Sequence, residues 1–250
     1  MGQGQAFSLK FLNSRDIKIA AIILMTVDHI GKIMYPDTEI YRIIGRVAFP
    51  LFAFLIAFGC TKTRNIGKYF VRLIAFGCFT QALFFMLNID IINIFFTLAI
   101  GVLAIWIVQS IWRKMMTSTH VQITAQEPAP RPRVVMFVDR AIAIWFLGAV
   151  ALAVAYFGEL IRVDYGLTGV MLIVGFWAAC LTRGWWQFAI VTATLTAFNL
   201  LFYPYDIQWW SMVALPFILL FTPQKIKTHP IEKYAFYLYY PLHIVIIFLI

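Results

Sequence analysis

Long apolar runs separated by short polar turns dominate the chain. A helix needs about 20 predominantly apolar residues to cross a bilayer, and nine runs come close to that length. They lie at about 17–35, 43–61, 70–88, 91–112, 139–158, 165–182, 186–203, 207–221 and 234–250. The pattern therefore predicts an all-α, polytopic integral membrane protein with about nine transmembrane helices.

Polar residues mark the ends of these segments. Asn13 or Ser14 can cap the first helix, and Asp16 follows in its first turn. The one long polar stretch runs from about 113 to 138, and its PAPRPR portion is incompatible with a helix. We therefore expect a single transmembrane domain over residues 1–250, with a flexible cytoplasmic loop at about 113–138.

The basic residues predict how the helices are oriented. If the N-terminus is cytoplasmic, nearly all of the 20 lysines and arginines fall at cytoplasmic ends of the segments. The exceptions on the other side are Lys32, Arg42, Arg46 and Arg162. This distribution follows the positive-inside rule and predicts a cytoplasmic N-terminus and an extracytoplasmic C-terminus.

Composition agrees with a membrane protein and narrows the partners. The chain is 62% hydrophobic and 12% charged, whereas soluble domains carry about 25% charged residues. The net charge of +9 does not indicate a nucleic-acid partner, because the basic residues sit in short turns between apolar segments. The three cysteines have no metal-ligand spacing, and no serine-nucleophile, zinc-protease or P-loop motif is present. The expected partner is therefore the lipid bilayer, and no metal is expected.

A set of polar residues interrupts the apolar segments, mostly towards the outer leaflet. Residues of this kind are costly at membrane depth and usually face a bundle interior or a functional site. The set comprises Asp28, His29, Arg46, Gln81, Asn93, Asp164, Tyr165 and Asn199. It also includes two residues of the last segment, His243 near its middle and Tyr237, whose carbonyl is freed by Pro241 four residues later. Most of these residues share one depth, which predicts one site near the outer face.

The stretch MTVDHIGKIM contains the least expected pair, Asp28 and His29. Sequence neighbours on a helix point about 100° apart, so the two cannot form a hydrogen-bonded dyad. We expect one to face the substrate and the other to hold a partner such as Arg46. Simpler interpretations are an Asp28–Lys32 pair at i, i+4 and an Arg42 that only reaches the headgroups. Since Pro50 frees the carbonyl of Arg46, the backbone there is expected to open locally.

Five blocks of the sequence resemble the TraX family of conjugative-plasmid membrane proteins, which includes the TrbP proteins. They are KIAAIILMTVDHIGKIM, IGRVAFPLFAFLIAFG, RLIAFGCFTQALFF, DYGLTGVMLI and FYLYYPLHIVI. The family is also distantly similar to the multi-helix membrane acyltransferases. The resemblance implies a bacterial inner-membrane acetyltransferase that moves acetyl from acetyl-CoA to the N-terminal amine of a conjugative pilin subunit. The family positions that match here are Asp28, His29, Arg46, Asn93 and His243.

That reaction suggests roles for the polar set. We expect His29 to be the general base, because histidine titrates near neutral pH. Asp28 would orient Arg46 or bind the pilin ammonium, and Arg46, Asn93 or Tyr165 would stabilise the oxyanion. The full catalytic set is then His29, Asp28, Arg46 and His243, and the substrate-binding set is Asn93, Gln81, Asp164, Tyr165, Asn199 and Tyr237.

The donor is expected to approach from the other side of the membrane, because CoA is cytoplasmic. Its phosphates would rest on basic residues of the 61–72 turn, which suit phosphate as point charges and as bidentate forks. These residues are Lys62, Arg64, Lys68 and Arg72.

Three other functions fit parts of the pattern. A transporter would also use intramembrane Asp, His and Arg residues for proton relay. A non-catalytic pilus-assembly scaffold and an enzyme that acetylates a surface glycan are the other two. Direct transfer and an acetyl-histidine intermediate both remain open at this stage.

Overall fold

The computed structural model describes residues 11–89, 92–125, 148, 152–154, 156, 160, 163–202, 206–224 and 230–250. For 114–125, Phe202, Pro230 and Lys233 it describes the backbone only. Among these residues there is no named strand, which confirms the all-α prediction for the described part of the chain.

The described elements follow one another as helices joined by short turns. They are α1 (Ser14–Met34), α2 (Glu39–Gly45), α3 (Ala48–Lys62), α4 (Ile66–Met86), α5 (Ile94–Ala125), α6 (Gly166–Cys180), α7 (Trp185–Phe202), a 3₁₀ helix (Ile207–Val213), α8 (Ala214–Leu219) and α9 (Pro230–Leu249).

Local sequence signals set the start of α1. The side chain of Asn13 accepts hydrogen bonds from the backbone N–H groups of Arg15 and Asp16. Asp16 in turn accepts from the N–H of Asn13 at 2.9 Å. This reciprocal capping box satisfies N–H groups that have no partner inside the helix, and it confirms the predicted cap.

Length and composition show a membrane protein. Three helical stretches in the described part of the chain are long and apolar enough to cross a membrane, Glu39–Lys62, Ile66–Met86 and Ile94–Arg113. Shorter apolar helices lie at Gly166–Cys180, Ile207–Leu219 and Tyr234–Leu249. The count of nine spans and the orientation of the termini stay predictions, and the predicted segment at 139–158 lies largely outside the described residues.

One predicted boundary and one predicted helix type differ from the structure. The loop does not begin near 113, because α5 continues to Ala125; residues 113–125 contain neither glycine nor proline, so nothing there stops the helix. The PAPRPR portion lies outside the described residues. The segment at 207–221 is a 3₁₀ helix up to Val213 and only then a short α-helix.

The core is built around α3, which lies between α1, α5 and α6. Leu51 and Phe54 are fully buried, and the Phe54 ring packs edge-on against Phe176 of α6 with a distance of 6.1 Å between the ring centroids. Large apolar side chains such as Val71 and Phe85 of α4 are exposed at the periphery instead. An apolar exterior of this kind is what a bilayer would cover, so α3 forms the protein-facing centre of the bundle.

Candidate active site

A cavity of about 270 Å³ lies between α1, α2, α3, α5, α9, the turn at 163–165 and the 3₁₀ helix. Its charged lining residues and its histidine are Asp28, His29, Lys32, Arg42, Arg46, Asp164 and Asp206. Apolar and aromatic side chains complete the wall, among them Ile22, Met25, Phe49, Phe52, Leu98 and Phe236. The cavity therefore combines a polar part with an apolar part, as small-molecule sites do.

Asp28 is held between two arginines. Its Oδ2 accepts from Arg42 Nη1 at 2.8 Å, and its Oδ1 accepts from Arg46 Nη2 at 3.2 Å. The expected Asp28–Arg46 contact is thus confirmed. The headgroup interpretation of Arg42 is wrong, because α2 folds back antiparallel to α1 and carries Arg42 to Asp28. Among the described residues, Lys32 forms no ion pair with Asp28.

Arg46 reaches this position because the helix is interrupted there. α2 ends at Gly45 and α3 begins at Ala48, so Arg46 lies in the break, four residues before Pro50. Proline cannot donate to the carbonyl of residue i−4, and the expected opening at Arg46 is confirmed. The guanidinium then bonds Gln208 Oε1 at 3.1 Å and the carbonyl of Arg42 at 3.3 Å, which fixes its position.

Two glycines allow α1 and α2 to lie this close. A Cβ at Gly45 would overlap the side chain of Asp28, and a Cβ at Gly31 would overlap that of Tyr41. The absence of side chains at these positions is therefore part of what brings Asp28 between the arginines.

We expect Gly45→Ala to destabilise the protein. The added methyl must displace Asp28 or separate the helices, and overpacking of this kind costs about 1–3 kcal/mol, or roughly 2–10 °C in melting temperature for a chain of this size. Thermal unfolding in detergent measures the effect. Gly148→Ala is the control, since no described atom lies within 4 Å of its added Cβ. Equal melting temperatures for the two variants would contradict the close approach.

His29 and His243 form a second pair, across α1 and α9. His243 Nε2 lies 3.2 Å from His29 Nδ1. The Nδ1 of His243 lies 2.9 Å from the carbonyl oxygen of Tyr239, and the Nδ1 of His29 lies 2.9 Å from that of Met25. A carbonyl only accepts, so both Nδ1 atoms carry a hydrogen. The neutral His243 Nε2 is then an acceptor for His29 Nδ1–H, and His29 Nε2 keeps its lone pair.

The two histidines differ in their access to the cavity. His29 lines it, whereas His243 is buried behind His29 and is not part of the lining. His243 was expected to belong to the catalytic set; in the structure its ring contacts His29 and lies outside the cavity lining.

Asp164 and Tyr165 are presented by a tight turn before α6. Tyr165 has a φ of 59°, which is unfavourable for a side chain of this size, and its ring stacks on Phe49 at a centroid distance of 3.8 Å. The carbonyl of Asp164 accepts from the Thr97 hydroxyl. The side chain of Asp164 is exposed to the cavity, but the surrounding protein excludes bulk water from the carboxyl and thereby raises its pKa. The positive charges of Lys32 and Arg46 offset part of this rise.

The other expected substrate-binding residues do not line the cavity. Gln81 Oε1 accepts from the Asn93 side chain at 2.9 Å, and Asn93 also donates to the carbonyl of Gly77. Asn199 is hydrogen-bonded to Ser211. The Tyr237 ring stacks on that of Phe76 with a centroid distance of 4.9 Å. These residues therefore hold helices together, and shared depth in the membrane was not enough to place them in one site.

Sequence reasoning missed Asp206 and Gln208. Both line the cavity, and Asp206 accepts from the backbone N–H of Gln208 as the cap of the 3₁₀ helix. Gln208 is buried and anchors Arg46. The available signal was a glutamine at the start of an otherwise apolar segment.

The residues expected to hold the CoA phosphates lie at the end of α3, in the turn after it and in α4, and none of them lines the cavity. They are Lys62, Arg64, Lys68 and Arg72. A different basic residue contacts a lining residue: Lys18 Nζ is 5.2 Å from the centroid of the Phe236 ring, and Phe236 lines the cavity. In the described part of the chain, no group of three or more His, Cys, Asp and Glu residues could hold a metal ion.

A family model described as "TraX protein" matches residues 14–250. The chain is also 47% identical over 53 residues to "Uncharacterized protein RP591" of Rickettsia prowazekii (strain Madrid E), covering 20% of this chain and 21% of that protein. It is 33% identical over 108 residues to "Probable fimbrial assembly protein FimC, serogroup H1" of Dichelobacter nodosus, covering 36% of this chain and 44% of that protein. The chain thus spans less than half the length of either relative, and no solved structure matches it.

Proposed function

The chain belongs to the TraX family, and we propose on that basis that it acts in pilus assembly as an integral membrane acetyltransferase. The reaction would transfer acetyl from acetyl-CoA to the N-terminal amine of a conjugative pilin subunit in the bacterial inner membrane. Three findings support the proposal: the family match over residues 14–250, the similarity to a protein named as a probable fimbrial assembly protein, and the residues of the cavity.

The hydrogen bonding of His29 carries most weight. Because its Nδ1–H is engaged by Met25 and His243, Nε2 is the ring nitrogen available to a substrate in the cavity. A neutral imidazole with one free lone pair is suited to accept a proton from an amine. This is the property that a general base for acyl transfer to nitrogen needs.

Arg46 supplies the complementary charge. A guanidinium has five N–H groups, and among the described residues three of those of Arg46 are engaged by Asp28, Gln208 and the Arg42 carbonyl. Two N–H groups remain at a cavity-lining position. Fixed donors of this kind stabilise the oxyanion of a tetrahedral intermediate without reorganising during the reaction.

The proposed transfer is direct. The neutral amine nitrogen attacks the thioester carbonyl, the new C–N bond forms, and the carbonyl electrons move to the oxygen near Arg46. His29 Nε2 takes the proton released by the amine. The intermediate then collapses, the C–S bond breaks, and the CoA sulfur leaves with the proton that His29 returns. Nothing in this sequence requires a metal or a redox partner.

The donor would lie along the apolar part of the cavity. Ile22 and Phe236 line that part, and Lys18 lies beside Phe236. Ile22 is eight residues from the start of α1, a rise of about 12 Å. We propose that the pantetheine arm occupies this part, with its phosphates on Lys18 and on Lys62, Arg64, Lys68 and Arg72.

Mass spectrometry of the pilin N-terminus tests the function directly. Pilin from cells with the intact gene is expected to carry the mass of one acetyl group on its N-terminal residue, and pilin from a deletion strain is expected to lack it. Restoring the gene should restore the mark. An acetylated pilin in the deletion strain, or an unacetylated one in both strains, would favour a scaffold or a transporter instead.

A further inference from the structure

The cavity contains carboxylates in two different electrostatic states. Asp28 faces two guanidinium groups at hydrogen-bond distance, so this cluster carries a net positive charge. A protonated amine entering the cavity would be repelled there. Asp28 is therefore unsuited to the ammonium-binding role that the sequence had left open for it.

Asp164 is the contrasting case. Its side chain is exposed to the cavity, and among the described residues it makes no ion pair within 4 Å. Its carboxylate receives the backbone N–H of Tyr165, within its own turn. The position is nevertheless well fixed, because the backbone carbonyl is bonded by Thr97 and the N–H reaches the carbonyl of Ile92 at 3.4 Å.

The turn itself is maintained against an unfavourable backbone conformation. Tyr165 adopts positive φ, held by its stacking on Phe49. Strain of this kind persists where the surrounding contacts require a particular presentation of side chains. Here it directs an acidic residue into a cavity that otherwise has the paired Asp28, the helix-capping Asp206 and three cations.

We propose that Asp164 binds the ammonium group of the acceptor and thereby selects primary amines over hydroxyl acceptors. This inference rests on the proposed acetyltransferase function and specifies which residue recognises the acceptor. Asp164 and His29 line the same cavity, so an amine bound at Asp164 has a base within the same enclosure. The ammonium gives one proton to His29 Nε2, which releases it to water before the attack, and becomes the neutral nucleophile while Asp164 keeps its charge. Nε2 is then free again to take the second proton when the C–N bond forms.

Binding of two matched peptides tests the proposal without relying on catalysis. One is a synthetic peptide with the N-terminal sequence of the pilin encoded with this protein, and the other carries an α-hydroxyl in place of the α-amine. In detergent, with no donor present, we expect the wild type to bind the amine peptide at least about tenfold more tightly, as a charge-assisted hydrogen bond would provide. Equal binding of the two by the wild type would overturn the proposal.

The variants locate the preference. Asp164→Asn should reduce the amine-to-hydroxyl ratio to about one, and Asp164→Glu should restore most of it, because the charge returns. Asp37→Asn is the matched control: it removes a negative charge from the exposed turn between α1 and α2, outside the cavity lining. It should leave the ratio unchanged. A ratio that survives Asp164→Asn, or that falls as much in Asp37→Asn, would also overturn the proposal.

The outcomes for the site and for the function are distinguishable. If the wild type acetylates pilin but Asp164→Asn keeps the binding preference, Asp164 is rejected and the acetyltransferase stands. If the preference depends on Asp164 but pilin is never acetylated, the amine site stands and the proposed reaction fails.

Discussion

Replacing His29 by alanine is expected to abolish pilin acetylation while the protein stays in the membrane at its normal level. Its Nε2 is the nitrogen that the hydrogen bonds to Met25 and His243 leave available. Loss of a general base lowers the rate by about 10²–10⁴-fold. The measurement is the acetylated fraction of pilin by mass spectrometry, together with initial rates for purified protein in detergent with acetyl-CoA and pilin.

Three further variants define the role more closely. His120→Ala is the control histidine, since it lies in the polar stretch far along the chain from the cavity-lining residues, and it should acetylate normally. His243→Ala should lose less activity than His29→Ala and shift the pH dependence of kcat, because the Nδ1–H of His29 then loses one acceptor and keeps only the Met25 carbonyl. His243→Gln keeps an acceptor for His29 Nδ1 and should recover part of the rate. Full acetylation by His29→Ala would remove it from the mechanism.

Asp28→Asn is expected to have the second largest effect, on stability as well as on activity. The change leaves Arg42 and Arg46 close together without their shared counter-charge. Both arginine side chains are mostly buried, as is Asp28, with exposed fractions of 26%, 13% and 19%. Removing one partner of such a pair costs about 3–5 kcal/mol, and Arg46 would no longer be held where an oxyanion could form.

A double variant separates the two effects. Asp28→Asn combined with Arg42→Gln removes one of the uncompensated cations, so the melting temperature in detergent should recover part of its loss. Acetylation should stay low, because Arg46 still lacks the carboxylate that positions it. Arg15 offers a matched surface comparison, because its side chain is 42% exposed and forms an ion pair with Glu232. Arg15→Gln breaks this pair and should change the free energy of unfolding by at most about 1 kcal/mol. A stable and active Asp28→Asn protein would refute the structural role of the arginine pair.

Several features of the fold could be predicted from local sequence because their causes are local. The capping box at Asn13 and Asp16 involves residues three apart, and the opening at Arg46 follows from a proline four residues later. The wrongly predicted end of α5 also has a local explanation. The α5 helix continues because the polar residues after 113 do not disrupt a helix, and polarity alone was a poor guide to its end.

The composition of the site was only partly predictable. Asp28, His29, Arg46, Asp164 and Tyr165 were identified because charged and polar residues are unusual in apolar segments, and all of them line the cavity. Asn93 and Asn199 were identified by the same reasoning but form structural hydrogen bonds elsewhere. Depth in the membrane restricts a residue to a layer. Within that layer, the direction in which each side chain leaves its helix decides which residues come into contact.

The sequence by itself determined that this is a helical membrane protein, where many of its helices lie, and which polar residues are costly enough to need an explanation. Hydrophobicity, capping and proline act over a few residues, so a linear reading contains them. Only the tertiary structure decided that Asp28 meets Arg42, 14 residues away, and that His29 meets His243, 214 residues away. Contacts over such separations depend on how whole helices pack, and packing is the property that made Asp28 a paired acid and left Asp164 facing the cavity.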